Sequence, residues 1–188
     1  MAIEKTTSER SYEEIFNEIF QEKFPAFKEE EYKIACEIRD KIKENIRTNY
    51  YNFKLSPKYQ EWKDNQPNAG KVPLDLTRHY LDSINVVATE TGYTVQIDDV
   101  MHQDIPGKGQ NTMHMRELGQ LLEYGDPDRT HPNGSPNPMP AFPHWRPVIY
   151  EYQENHGLIK DRFNNLISEI HELTIQKMNE SVKRTTKL

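Results

Sequence analysis

Histidines are the residues of this chain with the most obvious chemical potential, and several of the seven lie in its middle. Imidazole nitrogens bind zinc, but a zinc site needs three or four ligands held at fixed geometry. The chain has no HExxH and no CxxC spacing, so the histidine pattern favours no metal site, and we expect no metal or other cofactor. A metal-dependent hydrolase is the least favoured of our hypotheses, and it would draw on scattered residues: His114, His131, His144 and Glu117.

The sequence also shows no clear pattern for a catalytic nucleophile or for a phosphate-binding loop. Ser83 lies in a strand-like run and not in GxSxG, and Cys36 lies on an apolar helical stripe without a neighbouring base. The Gly107-Lys108-Gly109 stretch lacks the GxxxxGK[ST] pattern and is typical of a flexible turn. We therefore expect that the protein is not an enzyme.

Composition narrows the class of protein. Charged residues make up 29% and apolar residues 35% of the chain, which leaves a thin core that contacts with neighbours could supplement. The formal charge of −6 comes without a basic block, so tight nucleic-acid binding is disfavoured. One cysteine cannot form an internal disulfide, and no apolar run is long enough for a signal peptide or a membrane span. The sequence predicts a soluble protein.

The N-terminal region predicts two helices. Ser11 and Glu14 form a capping-box pattern before an apolar stripe with helical spacing. Pro25 should end or kink this helix, because proline has no amide donor and its ring clashes with the preceding turn. A second stripe follows at Ile34, Ala35, Ile38, Ile42 and Ile46.

Residues 50–76 lose this periodicity and predict an irregular insertion. Its aromatic residues could stack on bases, but without basic companions such residues more often pin a loop to a core or to a neighbour. These residues are Tyr50, Tyr51, Phe53, Tyr59 and Trp62.

The middle of the chain predicts a β-hairpin and a short helix. Two β-branched runs, residues 83–89 and 93–97, flank Glu90-Thr91-Gly92, with Tyr93, Val95 and Ile97 on one face. Helical spacing resumes near Met115, and Gly125 is placed as the positive-φ residue that stops this helix.

A proline-rich loop then leads to a long C-terminal helix, predicted from Val148 to about Lys183 with an interruption at Gly157. The polar tail, residues 181–188, should fray. Together the segments predict an α+β class, with N-terminal helices, a small antiparallel sheet, a short helix, a Pro-rich loop and a long helix. We expect one domain over residues 1–188.

Three segments in order resemble the tail-completion, or head-tail joining, family of tailed bacteriophages. "TRHYLDSI" (77–84) is similar to that family's TGxLxxSI entry into its first strand, with Arg78 in place of glycine and Tyr80 in place of leucine. "LEYG" (122–125) resembles its hydrophobic-Glu-aromatic-Gly element. "PAFPHWRP" (140–147) resembles PAxPFxRP before the C-terminal helix, with His144 at a usual aromatic position.

The resemblance implies a structural protein of the virion neck, without catalysis or cofactor. Such a protein would form a ring of identical copies around the DNA channel and act as a tail terminator or head-tail connector. Its partners would be copies of itself, neighbouring neck, connector and tail proteins, and passing genomic DNA that is not read by sequence, with no membrane. Assembly would take place in the host cytoplasm. A non-virion phage assembly factor, which binds and then leaves, is the main alternative.

The same segments supply the candidate structural and interface residues. The prolines should fix an extended path, because each one fixes φ and removes a donor. Trp145 should pack on the sheet or the long helix, and an additional role as an anchor between subunits is the alternative. The guanidinium of Arg146 should pair with Glu123. Residues 126–139 are too long for a mere connection, so we expect them to order by docking on a neighbour. The full set is Glu123, Tyr124, Gly125, Pro140, Pro143, Trp145, Arg146 and Pro147.

Overall fold

The protein's structure, a computed structural model, describes residues 10–50, 52, 54, 57–65, 79–101, 113–130 and 133–185. Long helices and a two-stranded antiparallel sheet confirm the predicted α+β class. Within the described residues, no helix is both long enough and apolar enough to cross a bilayer. The helices are α1 (Tyr12–Arg47), α2 (Pro57–Asp64), α3 (His79–Asp82), α4 (Met115–Tyr124), α5 (Arg146–Glu154) and α6 (His156–Thr185), and the strands are β1 (Ile84–Ala88) and β2 (Tyr93–Ile97).

The chain divides into two compact units. Unit 1 comprises Met1–Glu31 and His156–Leu188, and unit 2 comprises Tyr32–Asn155. Helix α1 therefore contributes residues to both units, whereas α6 belongs to unit 1 alone. The single domain expected over residues 1–188 stays a prediction.

Unit 1 is a pair of long helices packed around a small apolar cluster. Ile15 and Ile19 of α1 are buried with Ile170 of α6. Ion pairs border this seam, among them Lys23 with Glu169. Side chains that flank the cluster extend it along both helices: Phe16, Phe20, Phe27, Leu173 and Met178.

The predicted start of α1 is confirmed, whereas the predicted break at Pro25 is wrong. Ser11 and Glu14 form the reciprocal capping box, with N···O distances of 2.9 and 3.2 Å. The helix then runs through Pro25 without interruption. Pro25 is exposed, so water can satisfy the carbonyl group that lacks its amide partner. A ring contact between Phe20 and Phe27 spans the proline.

Unit 2 contains the hairpin, and the pairing of its strands confirms the predicted face. Ile84 lies opposite Ile97, Val86 opposite Val95, and Ala88 opposite Tyr93. Because directly paired residues of an antiparallel sheet share a face, the three predicted β2 side chains lie on the same side as these β1 side chains. Ile84 and Ile97 are buried at the end of the ladder nearest α3 and α4.

Three further helix boundaries differ from those that the sequence predicted. Helix α2 lies inside residues 50–76, which were expected to be wholly irregular. The predicted long C-terminal helix is two helices, divided at Asn155 and not at Gly157. Asn155 leaves helical geometry at φ −97° and ψ 60°, while Gly157 continues the first turn of α6. The backbone of α6 also reaches Thr185, into the tail that was expected to fray.

Replacing Pro25 by alanine should stabilise the protein. The change restores an amide donor inside α1 and removes a ring that crowds the preceding turn, which we expect to contribute about 1–3 kcal/mol after the loss of proline's rigidity in the unfolded chain. Urea unfolding followed by circular dichroism measures the difference. The exposed Glu22→Ala variant, three residues earlier on α1, should change stability much less. A Pro25→Ala variant less stable than the wild type would show that the fold uses the proline.

Candidate functional site

The candidate site lies in unit 2, where the end of α4 meets the start of α5. Helix α4 stops at Gly125, whose amide donates to the carbonyl of Leu121 at 2.8 Å. Gly125 has φ 75° and ψ −175°, so the predicted positive φ is confirmed, in an extended geometry that essentially only glycine adopts. An added Cβ would lie 2.6 Å from the Met139 carbonyl oxygen and 2.7 Å from the Ala141 nitrogen. Glycine is thus required twice, for its conformation and for the close approach of residues 139–141.

The backbone on either side of Gly125 fixes the returning segment. Asp126 and Met139 exchange two backbone hydrogen bonds, each 2.8 Å long. The amide of Phe142 donates to the carbonyl of Leu122 at 2.7 Å. The segment 140–147 is therefore attached to the end of α4 before any side chain contributes.

The carboxylate of Glu123 is the centre of the site. It is buried, and Oε2 accepts the backbone amides of His144 at 2.8 Å and Trp145 at 3.1 Å. Oε1 accepts both the backbone amide of Arg146 at 3.0 Å and its guanidinium Nε at 3.1 Å. The guanidinium also donates to the Glu123 carbonyl at 2.9 Å, so the predicted Glu123–Arg146 pair is present. We call Glu123, His144, Trp145 and Arg146 the Glu123 cluster.

This geometry keeps Glu123 ionised. Burial raises the pKa of Glu123, but the backbone amides of Arg146, His144 and Trp145 together lower it by more, so the net pKa lies below the ordinary carboxyl value. The carboxylate also lies at the N-terminus of α5, where free amides and the helix dipole favour a negative charge. Its acceptor positions are all used within the chain, so Glu123 acts here as a structural anion.

A second hydrogen-bonded series reaches the cluster from α3. The Tyr80 hydroxyl and His144 Nε2 are 2.6 Å apart, and His144 Nδ1 is 2.7 Å from the Phe142 carbonyl oxygen. Because a carbonyl only accepts, Nδ1 carries the proton and Nε2 accepts from the tyrosine. The Trp145 indole donates to the same hydroxyl at 3.5 Å. Both ring nitrogens of this buried histidine are therefore satisfied while it is neutral.

The electrostatics agree with a neutral histidine. Burial lowers the pKa of His144, outweighing the upward effects of its bond to Phe142 and of the Glu123 charge. Burial likewise raises the pKa of Tyr80, against the smaller effect of the Trp145 hydrogen bond, so its hydroxyl keeps its proton. The series has one consistent direction of donation, from Trp145 through Tyr80 and His144 to the Phe142 carbonyl.

Two more contacts hold this series in place. Asn45 of α1 donates to the His144 carbonyl at 3.3 Å. Gly119 of α4 lies beneath Tyr80, where an added Cβ would approach the tyrosine hydroxyl to 3.0 Å and the Ile97 Cδ1 to 2.2 Å. Helices α1, α3, α4 and α5 thus meet at residues 142–146.

The other predicted site residues lie around this centre without adding a binding group to it. Tyr124 is 65% exposed, and the Arg146 guanidinium lies 5.0 Å from its ring centroid. Pro140 is exposed and Pro143 is half-buried. Pro147 occupies the first turn of α5, where a missing amide costs nothing. Trp145 is half-buried and contacts Tyr80 of α3, whereas packing on the sheet or the long helix was expected.

The loop 126–139 is closed at its base by its own backbone. Besides the Asp126–Met139 bridge, Thr130 pairs with Pro136, and the Asn137 amide donates to the Arg129 carbonyl at 2.8 Å. This corrects the expectation that the loop orders mainly through contact with a neighbour. Docking of its tip on a neighbour stays a prediction.

The residues considered for catalysis are separated or engaged. His144 uses both ring nitrogens, for Tyr80 and for the Phe142 carbonyl, whereas His114 Nδ1 lies 2.9 Å from Oδ1 of Asp99. The Ser83 hydroxyl donates to the Tyr80 carbonyl at 2.8 Å. In the described ranges, no three His, Cys, Asp or Glu side chains are grouped to hold a metal ion, while His102 and His131 lie outside those ranges.

Sequence reasoning identified Glu123, Gly125 and Arg146 but missed the Tyr80–His144 pair. Tyr80 and His144 are positions at which the first and third segments differ from the motifs that they resemble, but the sequence alone does not indicate that the two side chains meet. Only the tertiary structure brings them to 2.6 Å. Thr77 and Arg78 of the first motif lie outside the described residues.

No protein-family model, curated protein or solved structure matches the chain.

Gly125→Ala should destabilise the protein by about 3 kcal/mol or more, because the strained φ and the clash with backbone atoms act together. Thermal unfolding measures the loss. The matched control is Gly134→Ala, which has a similar φ of 81° but open space around its Cβ, so it should cost about 1 kcal/mol. Equal losses in the two variants would mean that the close approach of residues 139–141 does not constrain the fold.

Glu123→Gln should cost about 2–4 kcal/mol, since the amide keeps the shape but turns two donors towards the donors of residues 144–146. Urea unfolding is the measurement. Glu90→Gln in the exposed hairpin turn removes the same charge and should be nearly neutral. A similar small effect at both positions would contradict a structural role for the buried carboxylate.

Stability should fall in two steps on acidification. The pKa of His144 is lowered from 6.5 in the folded protein, so its contribution is complete above that value and is lost as the pH falls towards the folded pKa. The pKa of Glu123 is lowered from 4.5, so a second loss follows below that value. Urea midpoints measured between pH 8 and pH 3 test this order.

The Tyr80→Phe/His144→Phe double variant separates the two steps. It removes the titrating imidazole together with the hydroxyl that would otherwise be orphaned, so the step nearer neutral pH should vanish while the carboxylate step remains. The double variant should lose less stability than the sum of the losses in the two single variants, and the difference should be about 1–3 kcal/mol. Persistence of the first step in the double variant would assign it to another group.

Proposed function

We propose that this chain is a structural protein of a tailed-phage virion that forms part of the neck. In this role it is a tail-completion, tail-terminator or head-tail connector subunit in a ring around the DNA channel. The proposal starts from the resemblance of residues 77–84, 122–125 and 140–147 to that family.

One observation carries the proposal: the three segments that bear the resemblance meet in space. Glu123 of the second segment binds the backbone of residues 144–146 in the third. Tyr80 of the first segment binds His144 of the third at 2.6 Å. Short motifs that match by chance have no reason to meet at one place in the fold, so the meeting of all three at the Glu123 cluster supports a shared architecture.

The surface around the Glu123 cluster suits contacts between subunits. Tyr124, Ile149 and Tyr150 are exposed, and Tyr124 carries the Arg146 guanidinium on its ring. Tyrosine and arginine are enriched in the central parts of protein interfaces. A closed ring needs two different patches on each copy, and the loop 126–139, whose base is fixed by backbone bridges, offers a second one.

Mass spectrometry of purified particles tests the virion claim directly. Particles of the phage that encodes the chain should contain it at the fixed, low copy number expected of a neck ring, and cryo-electron microscopy should place it between head and tail. Presence in infected-cell lysate but absence from mature particles would overturn the proposal and favour the assembly factor that binds and leaves.

A shortened loop tests the interface. Because Asp126 and Met139 are a bridged antiparallel pair, residues 127–138 can be replaced by Asn-Gly, which closes a two-residue hairpin. The variant should unfold at a urea midpoint close to the wild type yet fail to yield infectious particles. Normal titres with the shortened loop would remove the loop from the interface, and a misfolded variant would be recognised by its changed circular dichroism.

A further inference from the structure

One face of α1 in unit 2 carries a row of cations. Arg39, Lys43 and Arg47 occur at intervals of four residues, so their Cα atoms are spaced about 6 Å apart along the helix on nearly the same side. We call these three residues the basic row. Arg39 and Lys43 are half-buried and Arg47 is exposed.

The charges around the basic row do not balance it fully. Arg39 Nε binds Asp40 Oδ1 at 2.8 Å. In the described part of the chain, Lys43 and Arg47 form no ion pair, although the carboxylates of Asp40 and Asp82 lie near Lys43. Among the described residues, Arg39 is thus the one member of the row with an ion pair, and Lys43 and Arg47 have none.

Lys43 is in an environment that disfavours its positive charge. Burial lowers its pKa, and the nearby charge of Arg39 lowers it further, ahead of the compensating effect of Asp82. A partly desolvated ammonium between two guanidinium groups would be stabilised by an external anion. The pKa of Asp40 is lowered by its bond to Arg39 and, more weakly, by the charges of Lys43 and Arg47. The carboxylate of Asp40 therefore interacts electrostatically with all three cations.

Aromatic rings continue the same face towards the start of unit 2. Tyr32 lies seven residues before Arg39, which is two helical turns and therefore the same side of α1. It is 46% exposed, and its ring centroid is 5.2 Å from that of Tyr93 at the start of β2. Exposed aromatic rings in line with a row of cations are the combination that binds nucleic acid without reading sequence.

We propose that the basic row, with Tyr32 and Tyr93, binds the phosphodiester backbone of single-stranded nucleic acid independently of sequence. A linear row favours a polymer with regularly repeated phosphates, because a single phosphate would be held by cations that converge on one point. Whole-chain composition could not reveal this, since a net charge of −6 averages over both units. The inference does not depend on a place in the virion.

Binding should be weak and strongly dependent on salt. Three phosphate contacts on a single strand give a slope of about −2 in log K against log salt. Raising the salt from 50 to 200 mM should then weaken binding about 20-fold. The two nearby carboxylates and the acidic balance of the chain keep the affinity low.

Fluorescence anisotropy with a labelled 20-nucleotide oligothymidine tests the proposal on the full chain. The Arg39→Gln/Lys43→Gln/Arg47→Gln variant should lose binding at least tenfold at 50 mM salt and should flatten the salt dependence. The matched control, Arg116→Gln/Arg129→Gln/Lys160→Gln, removes the same charge from other exposed positions and should bind as the wild type does. Asp40→Asn should tighten binding about two- to fivefold by removing the opposing carboxylate.

Three outcomes would overturn the proposal. They are absence of binding by the wild type at 50 mM salt, equal losses in the row variant and its control, and competition by inorganic phosphate at the same phosphate concentration as unlabelled oligothymidine. Duplex DNA of equal length serves as the second arm. If Tyr32→Ala/Tyr93→Ala weakens binding to the single strand but not to the duplex, stacking is supported, whereas binding to duplex alone would contradict the role of the two rings.

Discussion

Burial of one ionised carboxylate is the constraint on which unit 2 depends. The Glu123 carboxylate can be buried because three consecutive backbone amides and one guanidinium replace the hydrogen bonds that water would donate to it. The amides of Trp145 and Arg146 are free donors at the start of α5, so the same interaction satisfies a buried charge and caps a helix. If either partner moved, both would be left unsatisfied in a low-dielectric environment. The position of α5 relative to α4 follows from this mutual requirement.

Gly125 makes that interaction geometrically accessible. Its positive φ turns the chain out of α4, and its lack of a side chain lets residues 139–141 approach to backbone contact distance. The intervening loop then leaves and returns through a bridged pair, so its length has little effect on the cluster. This explains how a long and polar loop can coexist with a tightly defined site. It also gives the loop a fixed base from which to meet another molecule.

The hydrogen bonds of Tyr80 and His144 fix the position of α3 relative to the Glu123 cluster. Tyr80 and His144 satisfy each other only in one tautomer and one orientation, which ties α3 to the start of α5. A neutral histidine beside an ionised carboxylate also makes the fold sensitive to acid in a defined order. Elsewhere, on α1, Arg39 is paired with Asp40, whereas Lys43 and Arg47 have no ion pair among the described residues, and this is the face for which we propose an external anion.

The sequence by itself determined the features that depend on neighbours along the chain. Helical periodicity, the Ser11 cap, the hairpin and the stop at Gly125 are local, and all are present. The Glu123–Arg146 pair was also predicted, because the donors of a guanidinium suit a carboxylate. Tertiary structure alone decided the rest. Helix α1 continues through the exposed Pro25, where a ring contact between Phe20 and Phe27 spans the proline, and the last two helices divide at Asn155. Tyr80 and His144 lie 64 positions apart, and no local pattern records such a contact.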